Sequence, residues 1–378
     1  MTAELYYRIS ITAGSATFDL SPHLTNFTID EDETRPDQLM VEMSDPYKVL
    51  SHAIQEGMDV EVDLGTTDDH SIIFRGRIYK SDGSFPQDGV PTLRLTAYDK
   101  SMAMGLRRRN RPWTDLSLSE LVSEVAGEYF DQNVAVDVLG DPGFTGNGIR
   151  QQDETDLAFL LRLADTYGCE LYAIADEDGD TLHFEAQYSI MNRDPEIILA
   201  YGRCDVAHRL LSFEASSDIS QVQLPRVFSG IEYETGELTE VETAAIDDVG
   251  DDEDPFVDEN WAEYQKRHPS QAAALEGLLS EASDVREDLQ VELGEVEREA
   301  TPGFTTAETL RKRAQNQFST SLQGMQATAT AVGNQRIRAQ MNIGISDVGG
   351  RFSGHWYVSA ARHILDSQGY RTELTCNR

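Results

Sequence analysis

Between Tyr6 and Lys100 the chain alternates apolar and polar residues in seven short stretches: "YYRISI", "SATFDL", "NFTIDED", "DQLMVEMSD", "MDVEVDLG", "SIIFRGRIYKSD" and "TLRLTAYD". Successive side chains of a strand point to opposite faces, so a period of two leaves each strand with one apolar face to bury. Gly, Pro, Asp and Asn separate the stretches, as turns require. Strands at this spacing predict a small antiparallel barrel or sandwich.

The period changes at "NRPWTDLSLSELVSEVAGEYF", where Leu118, Leu121, Val122, Val125 and Tyr129 follow helical spacing. Ser117 with Glu120 three residues on forms the signature of a capping box. After the loop "LGDPGFTGNG", the segment "DETDLAFLLRLADTYGCELYAIADEDGDTLHFEA" predicts a helix with Leu157, Leu160, Leu161 and Ala164 on its apolar face. Gly168 would end that helix, and two strands would meet at an Asp178-Gly179 turn.

Strands resume at "HRLLSFEASSD" and "VQLPRVFSGIEYETGELTEVETAA". The acidic loop "IDDVGDDEDPFVDEN" and helix-forming sequence interrupt them until about residue 303. "TTAETLRKRAQNQFSTSL" predicts a helix with Thr306 as N-cap, and the remainder to Arg378 is β. The expected fold is mixed and mainly β: two antiparallel tube-like β-barrels with an inserted small α/β domain and a helical insertion. Residues 1–105 form the first barrel, 106–205 the α/β domain, 206–240 with 304–378 the second barrel, and 241–303 the insertion. An insertion that leaves and re-enters one barrel must have its ends close together.

Composition limits the partners. A 39% apolar content suffices for these cores despite 67 acidic against 31 basic residues, a formal charge of −36. Only Lys48, Lys80, Lys100, Lys266 and Lys312 are lysines. Acid spread along the whole chain with scarce lysine points to a salt-rich cytoplasm, where screening shortens charge repulsion. "GLRRRNR" is the one basic cluster, so sequence-specific nucleic-acid binding through a basic surface is not expected. No apolar run reaches the roughly 18 residues of a membrane span, and "MTAELYYRIS" lacks the pattern of a signal peptide. Cys169, Cys204 and Cys376, odd in number and widely spaced, predict reduced thiols without a disulfide framework or zinc site.

Chemistry is hard to find. The chain has no G-x-S-x-G, H-E-x-x-H, C-x-x-C or P-loop pattern. "GDPGFTGNG" does not run from a strand into a helix, as a phosphate loop would. His355 and His363 lie eight apart, which in one straight strand separates them by about 26 Å. Acid pairs such as Asp153 with Asp156 or Asp178 with Asp180 could serve a polysaccharide or cell-wall hydrolase, yet this many acids make such pairs by chance. Trp113, Trp261 and Trp356 are too scattered for a carbohydrate-binding adhesin. No catalytic, cofactor-binding or metal-binding residue is assigned.

The segment "DETDLAFLLRLADTYGCELYA", Asp153 to Ala173, resembles the hallmark of the phage late control D proteins. These are the baseplate hubs of phage tails and contractile injection systems, related to the N-terminal part of VgrG spikes. "DVGGRFSGHWYVSAARHILDSQGYRTEL" near the C-terminus resembles the family's final barrel hairpin, and "RPWTDLSLSELVSEVA" and "TTAETLRKRAQNQF" fall where the family places helices. Residues 241–303 match no family motif, and residues 1–105 fit the first barrel by pattern alone.

The resemblance implies a non-enzymatic hub, placed at a virion tail tip or injection-system baseplate and made in the host cytoplasm. It implies a homotrimer whose two barrels per chain form a ring of six, joining a hexameric tail tube protein to a trimeric spike around a channel. Other baseplate proteins and a tape-measure protein are further expected partners. No oligosaccharide-binding barrel or β-helical needle follows Arg378, so the spike or tip protein is expected as a separate chain. His363 is then expected to be a packing or hydrogen-bonding residue. The acidic composition generates a test: thermal melting across a salt series should show the melting temperature falling from molar to millimolar salt. An unchanged value would argue against an adaptation to salt.

Overall fold

The computed structural model describes residues 4–144, 148–176, 179–203, 208–218, 226–232, 238–242, 255–278, 297–305 and 324–378. The mainly-β reading holds. Strands β1 (Leu5–Ala13), β2 (Ala16–Asp19), β3 (Leu24–Asp32), β4 (Arg35–Ser44), β5 (Asp59–Thr66), β6 (His70–Ser84) and β7 (Thr92–Asp99) pair antiparallel in the order β2-β1-β5-β6-β7-β4-β3. Their inward positions, among them Ile9, Phe27, Ile29, Leu39, Val41, Val62 and Leu95, make one core. A short helix, α1 (Leu50–Ala53), follows β4, and the Asp45 carboxylate accepts from Leu50 N and Ser51 N at its start.

The α/β unit contains β8 (Arg108–Trp113), β9 (Leu116–Ser117), α2 (Leu118–Phe130), β10 (Val134–Asp137), β11 (Gly143–Phe144), β12 (Ile149–Thr155), α3 (Asp156–Tyr167), β13 (Cys169–Asp176) and β14 (Gly179–Ala186). The capping box forms: Ser117 Oγ accepts from Glu120 N at 3.3 Å and the Glu120 carboxylate accepts from Ser117 N at 2.8 Å. Gly168, at φ 64°, ends α3 in the left-handed conformation that glycine adopts without cost. The buried face of α3 is Phe159, Leu160, Leu163 and Ala164, while Leu157 and Leu161 are only partly buried. The face is turned from the expected one because Phe159 stacks on Trp113, with ring centroids 6.4 Å apart. Asp178 of the expected turn lies outside the described residues.

Helix α4 (Gln187–Met191) leads to β15 (Ile197–Tyr201), then β16 (Arg209–Ser217). The chain next forms β17 (Arg226–Glu232), β18 (Leu238–Glu242), α5 (Pro255–Arg267) and β19 (Glu297–Thr305). It returns as β20 (Met325–Val332), β21 (Met341–Ser346), β22 (Gly354–Asp366) and β23 (Gly369–Asn377). The order β22-β21-β15-β16-β20-β23 closes on itself through the β22–β23 pairing, giving a six-stranded barrel. Alanines 327, 329, 331, 339 and 361 line its narrow interior, which the fully buried Trp356 fills.

Three placements differ from the sequence reading. First, β15 falls within 106–205 yet joins the barrel, pairing parallel with both β16 and β21. The Asn342 side-chain amide, at the start of β21, donates to the carbonyls of Ile190, Met191 and Arg193. Strands that begin side by side in this way run parallel. Second, β17 and β18 lie outside the barrel and pair with β19 in a separate three-stranded sheet, β18-β17-β19. Both sides of β16 are already taken, by β15 and β20, which leaves no edge for them. The excursion therefore runs from Asp218 to Gly324, whose backbones meet: Asp218 N donates to Gly324 O at 2.9 Å. Third, residues 297–305, expected in large part to be helical insertion, are strand. The helix expected at Thr306 lies outside the described residues.

The β22 strand joins the closed six-stranded barrel to the sheet β1–β7, a first barrel that stays open, since no pairing among the described residues closes β2 onto β3. Its first half pairs with β21, and after a bulge at Val358/Ala360 its second half pairs with β3 as well as β23. A bulge re-aims a strand, so one strand serves two barrels. The loop from Gly333 to Gln340 then reaches across. Gln335 Nε2 donates to Asp69 O at 3.0 Å, Arg338 Nε meets Glu31 Oε1 at 2.5 Å, and Ala339 N donates to Glu31 Oε2 at 2.9 Å. Arg75 in β6 spans to the α/β unit, donating to Asp180 at 2.9 Å and to Asp176 O at 3.0 Å.

Glu31 has 3% of its side chain exposed and Arg338 22%. Removing one partner of a buried ion pair strands the other charge, at a cost of about 3–5 kcal/mol, and the partial exposure of Arg338 places this pair near the lower bound. Arg338→Ala should therefore destabilise the fold by about 3 kcal/mol. Glu31→Gln with Arg338→Met, which keeps an acceptor for Ala339 N and strands no charge, should recover most of that in urea unfolding. A near-neutral Arg338→Ala would show that the ion pair does not hold the barrels together.

Candidate interaction face

Residues directly opposite on paired strands share a face, so the pairings trace rows across the whole sheet. One row reads Thr17, Thr12, Asp59, Arg77, Tyr98, Gln38, Asp30, Arg362, Glu373, Thr330 and Ser212. It crosses β2, β1, β5, β6, β7, β4, β3, β22, β23, β20 and β16 without an aliphatic side chain, passing from one barrel to the other at Asp30 and Arg362. The opposite face of the same strands carries the two barrel cores.

Pairing within the row leaves it close to neutral. Thr12 and Thr17 hydroxyls lie 3.1 Å apart, Arg77 Nε meets Asp59 at 2.9 Å, Gln38 Nε2 donates to Tyr98 OH at 3.0 Å, and Arg362 pairs with Asp30. Glu373 lies 3.5 Å from Arg371. Where β3, β22, β23, β20 and β16 curve together, this face becomes a cleft of about 450 Å³ whose polar lining includes Arg35, Ser212, Glu214, Thr328, Arg362 and Glu373. A near-neutral, hydroxyl- and carboxylate-rich concave surface has no basic side chains in excess to hold a polyanion.

The residues weighed for catalysis do not converge. Asp156 is fully buried and accepts from Tyr129 OH at 2.7 Å and Gln151 Nε2 at 2.8 Å, with Arg109 Nε at 3.2 Å. Asp153 is exposed and meets Arg108 instead. Asp180 is held by Arg75. His363 is buried beside Tyr370, with Nδ1 2.7 Å from the hydroxyl, and burial pushes the imidazole down to about 3, so it is neutral. A Cβ at Gly333 would sit 2.2 Å from the Tyr370 ring, so glycine there is what allows that ring its place. His355 lies at the other end of β22, paired with Gly344. Cys169 and Cys376 are free and buried, and burial raises both thiols; Cys204 lies outside the described residues. Trp113 and Trp356 are buried and Trp261 stacks on Tyr264 in α5.

Three of the four arginines of the basic cluster are paired, since Arg109 and Arg111 both meet Glu128, Arg109 also meets Asp156, and Arg108 meets Asp153. Among the described residues no group of His, Cys, Asp and Glu could hold a metal ion, and no helix is long and apolar enough to cross a membrane.

Sequence reasoning missed the acidic groups buried where the barrels and the α/β unit meet. Glu31 follows Phe27 and Ile29 at inward positions of β3, so an acid at the third inward position was a readable signal. Burial raises the Glu31 carboxyl above its usual range, an effect opposed by Arg338. The polar row could not be read, because alternation gives each strand a face and not its neighbours.

Comparison with curated proteins finds no match. Among solved structures the chain is similar to a tail protein from Neisseria meningitidis MC58, at 15% identity over 98% of this chain and 96% of that one, with a TM-score of 0.63. It is similar to the 43 kDa tail protein of prophage MuSo2 from Shewanella oneidensis, at 15% identity over 99% and 98% of the two chains, TM-score 0.61. An E. coli component of the type VI secretion system, itself described as structurally similar to bacteriophage T4 tail proteins, aligns at 9% identity over 94% of this chain and 73% of that chain, TM-score 0.55. At these identities the likeness is one of fold. The model of the phage tail baseplate hub (GPD) family matches residues 50–367, and the chain belongs to that family.

Proposed function

We propose that this baseplate hub is a structural, non-enzymatic symmetry adaptor that works as a homotrimer. Three chains, each with two barrels, would form a ring of six that mates with a hexameric tail tube protein on one side and a separate trimeric spike or tip protein on the other. Tape-measure and other baseplate proteins would be neighbours, at a virion tail tip or injection-system baseplate assembled from chains made in a salt-rich cytoplasm.

The observation that carries this reading is the polar row crossing from β2 to β16 through the shared strand β22. A surface that two barrels present as one continuous strip can line one lumen. Its near-neutral, paired charges suit passage of a polyanion or a tape-measure protein without retention. The exposed β2 strand, which pairs with no described strand on its outer side, also leaves an edge that a neighbouring subunit would satisfy. The family and the tail-protein neighbours support a hub of a phage tail or secretion system. The hydrolase alternative drew on acid pairs such as Asp153 with Asp156, and Asp156 is instead sealed inside the α/β unit, where Tyr129, Gln151 and Arg109 hold it.

Light scattering in high salt should report the mass of three chains, alone or once a tube or spike partner is added. A monomer that persists with both partners present would remove the adaptor reading.

A further inference from the structure

The two barrels share one strand order. In the first it runs β1-β5-β6-β7-β4-β3 and in the second β15-β21-β22-β23-β20-β16, so β6 corresponds to β22 and β3 to β16. β15 runs parallel to β21 where β1 is antiparallel to β5, and every other pairing along the two runs is antiparallel. The bulges agree as well: β6 shifts register against β7 between Ile78 and Lys80, and β22 against β23 between Val358 and Ala360. Each bulge marks a fork. Before it the strand pairs on its outer side with β5 or β21. Beyond it β22 takes up β3, with Ala360 opposite Asp32, Arg362 opposite Asp30 and Ile364 opposite Thr28.

The corresponding joint of the first barrel is open. Beyond its bulge β6 pairs only with β7 among the described residues, and Lys80, Asp82, Gly83 and Ser84 are exposed. β16 pairs with β20 along its length but with β15 only through Arg209 and Leu210, so residues 212–217 also keep an outer edge with no described partner strand. An unpaired strand edge is a template for another strand. One chain thus carries a complete joint, β3 on β22, and the two halves of a second. The halves stand at opposite ends of the run β6-β7-β4-β3-β22-β23-β20-β16.

We propose that residues 212–217 of β16 in one copy add antiparallel to residues 80–84 of β6 in the next, repeating between chains the joint that β3 and β22 make within one. That the second chain is another copy rests on the homotrimer proposed above. The shared order carries the register across. Lys80 and Ala360 are the first residues paired beyond their bulges, to Thr96 and Thr375. Those threonines face Met40 and Thr328, which in turn face Thr28 and Glu214, so Glu214 takes the place of Thr28. Lys80 then lies opposite Asp218, Asp82 opposite Ser216 and Ser84 opposite Glu214. One of only five lysines in the chain meets an acid. One step further Phe85 comes opposite Phe213, as Leu365 lies opposite Phe27 within the chain. Phe85 is 56% exposed and Leu365 6%, so the joint covers an aromatic ring that the free chain leaves in water. Each copy offers one β6 and one β16, a head-to-tail contact, and like joints within and between chains repeat one rotation, as a closed ring requires.

Directly opposed residues of antiparallel strands have Cα atoms about 4.5–5.5 Å apart, within reach of a disulfide. The test uses the full chain at molar salt in a Cys204→Ser background, which leaves the buried Cys169 and Cys376 as native thiols. A tube or spike partner is added where the chain alone is monomeric. Asp82→Cys with Ser216→Cys should give covalent dimers and trimers on a non-reducing gel after oxidation. Chains with Asp82→Cys alone mixed with chains with Ser216→Cys alone should give dimers and nothing larger. Asp82→Cys with Ser212→Cys, four positions off the register at about 3.3 Å per residue, should stay unlinked. Phe85→Asp should weaken association by at least about tenfold, read by dilution in light scattering. A multimer that forms without the Asp82 to Ser216 link, that links equally well at Ser212, or that ignores Phe85→Asp would overturn the joint and leave the adaptor reading standing. A link confined within single chains would overturn it too. No multimer under any of these conditions would remove the joint and the adaptor together.

Discussion

One guanidinium fixes how the barrels sit. Arg338 reaches out of the second barrel to Glu31 of the first, and the same carboxylate accepts from Ala339 N, so only one relative position satisfies both oxygens. The loop that carries Arg338 is held at its base, where Asn334 N donates to Thr372 Oγ1 at 3.2 Å and Asn334 Nδ2 lies 3.0 Å from His208. Its middle is held by Asp69, which accepts from both Gln335 and Arg336. Hydrophobic burial stabilises each barrel by itself, but apolar surfaces slide; a buried ion pair with defined geometry supplies the register between them, a role such pairs have elsewhere.

That register is what makes the polar row continuous. Were the barrels rotated relative to one another, Asp30 and Arg362 would no longer pair and the strip would break at the β3–β22 seam. The shared β22 strand and the Arg338 latch therefore act together, the first through backbone hydrogen bonds and the second through charge.

Much of this was legible in the sequence, and the limits have physical causes. The seven strands of the first barrel, the capping box at Ser117 and the glycine stop at Gly168 follow from local periodicity and backbone preference, and all appear. The structural role of His363 also stands, with Tyr370 as its partner. Pairing beyond nearest neighbours was hidden: β15 joins the barrel because Asn342, 149 positions beyond Arg193, anchors the segment that leads into it. Strands β17 and β18 carry the same alternation as barrel strands but find no open edge there. The rotated face of α3 reflects a Trp113 stack that no helical wheel contains. Buried acids such as Glu170 escaped notice because, in a chain with 67 acidic residues, composition masks the few that matter.

The central claim is that two barrels of one chain present a single polar surface to a common channel. A cryo-EM map of the assembled tip tests it most directly. The account predicts a central pore lined by the row from Thr17 to Ser212, with first and second barrels alternating in pseudo-six-fold order. A pore lined by other faces, with this row buried against a partner or turned to the outside, would contradict it.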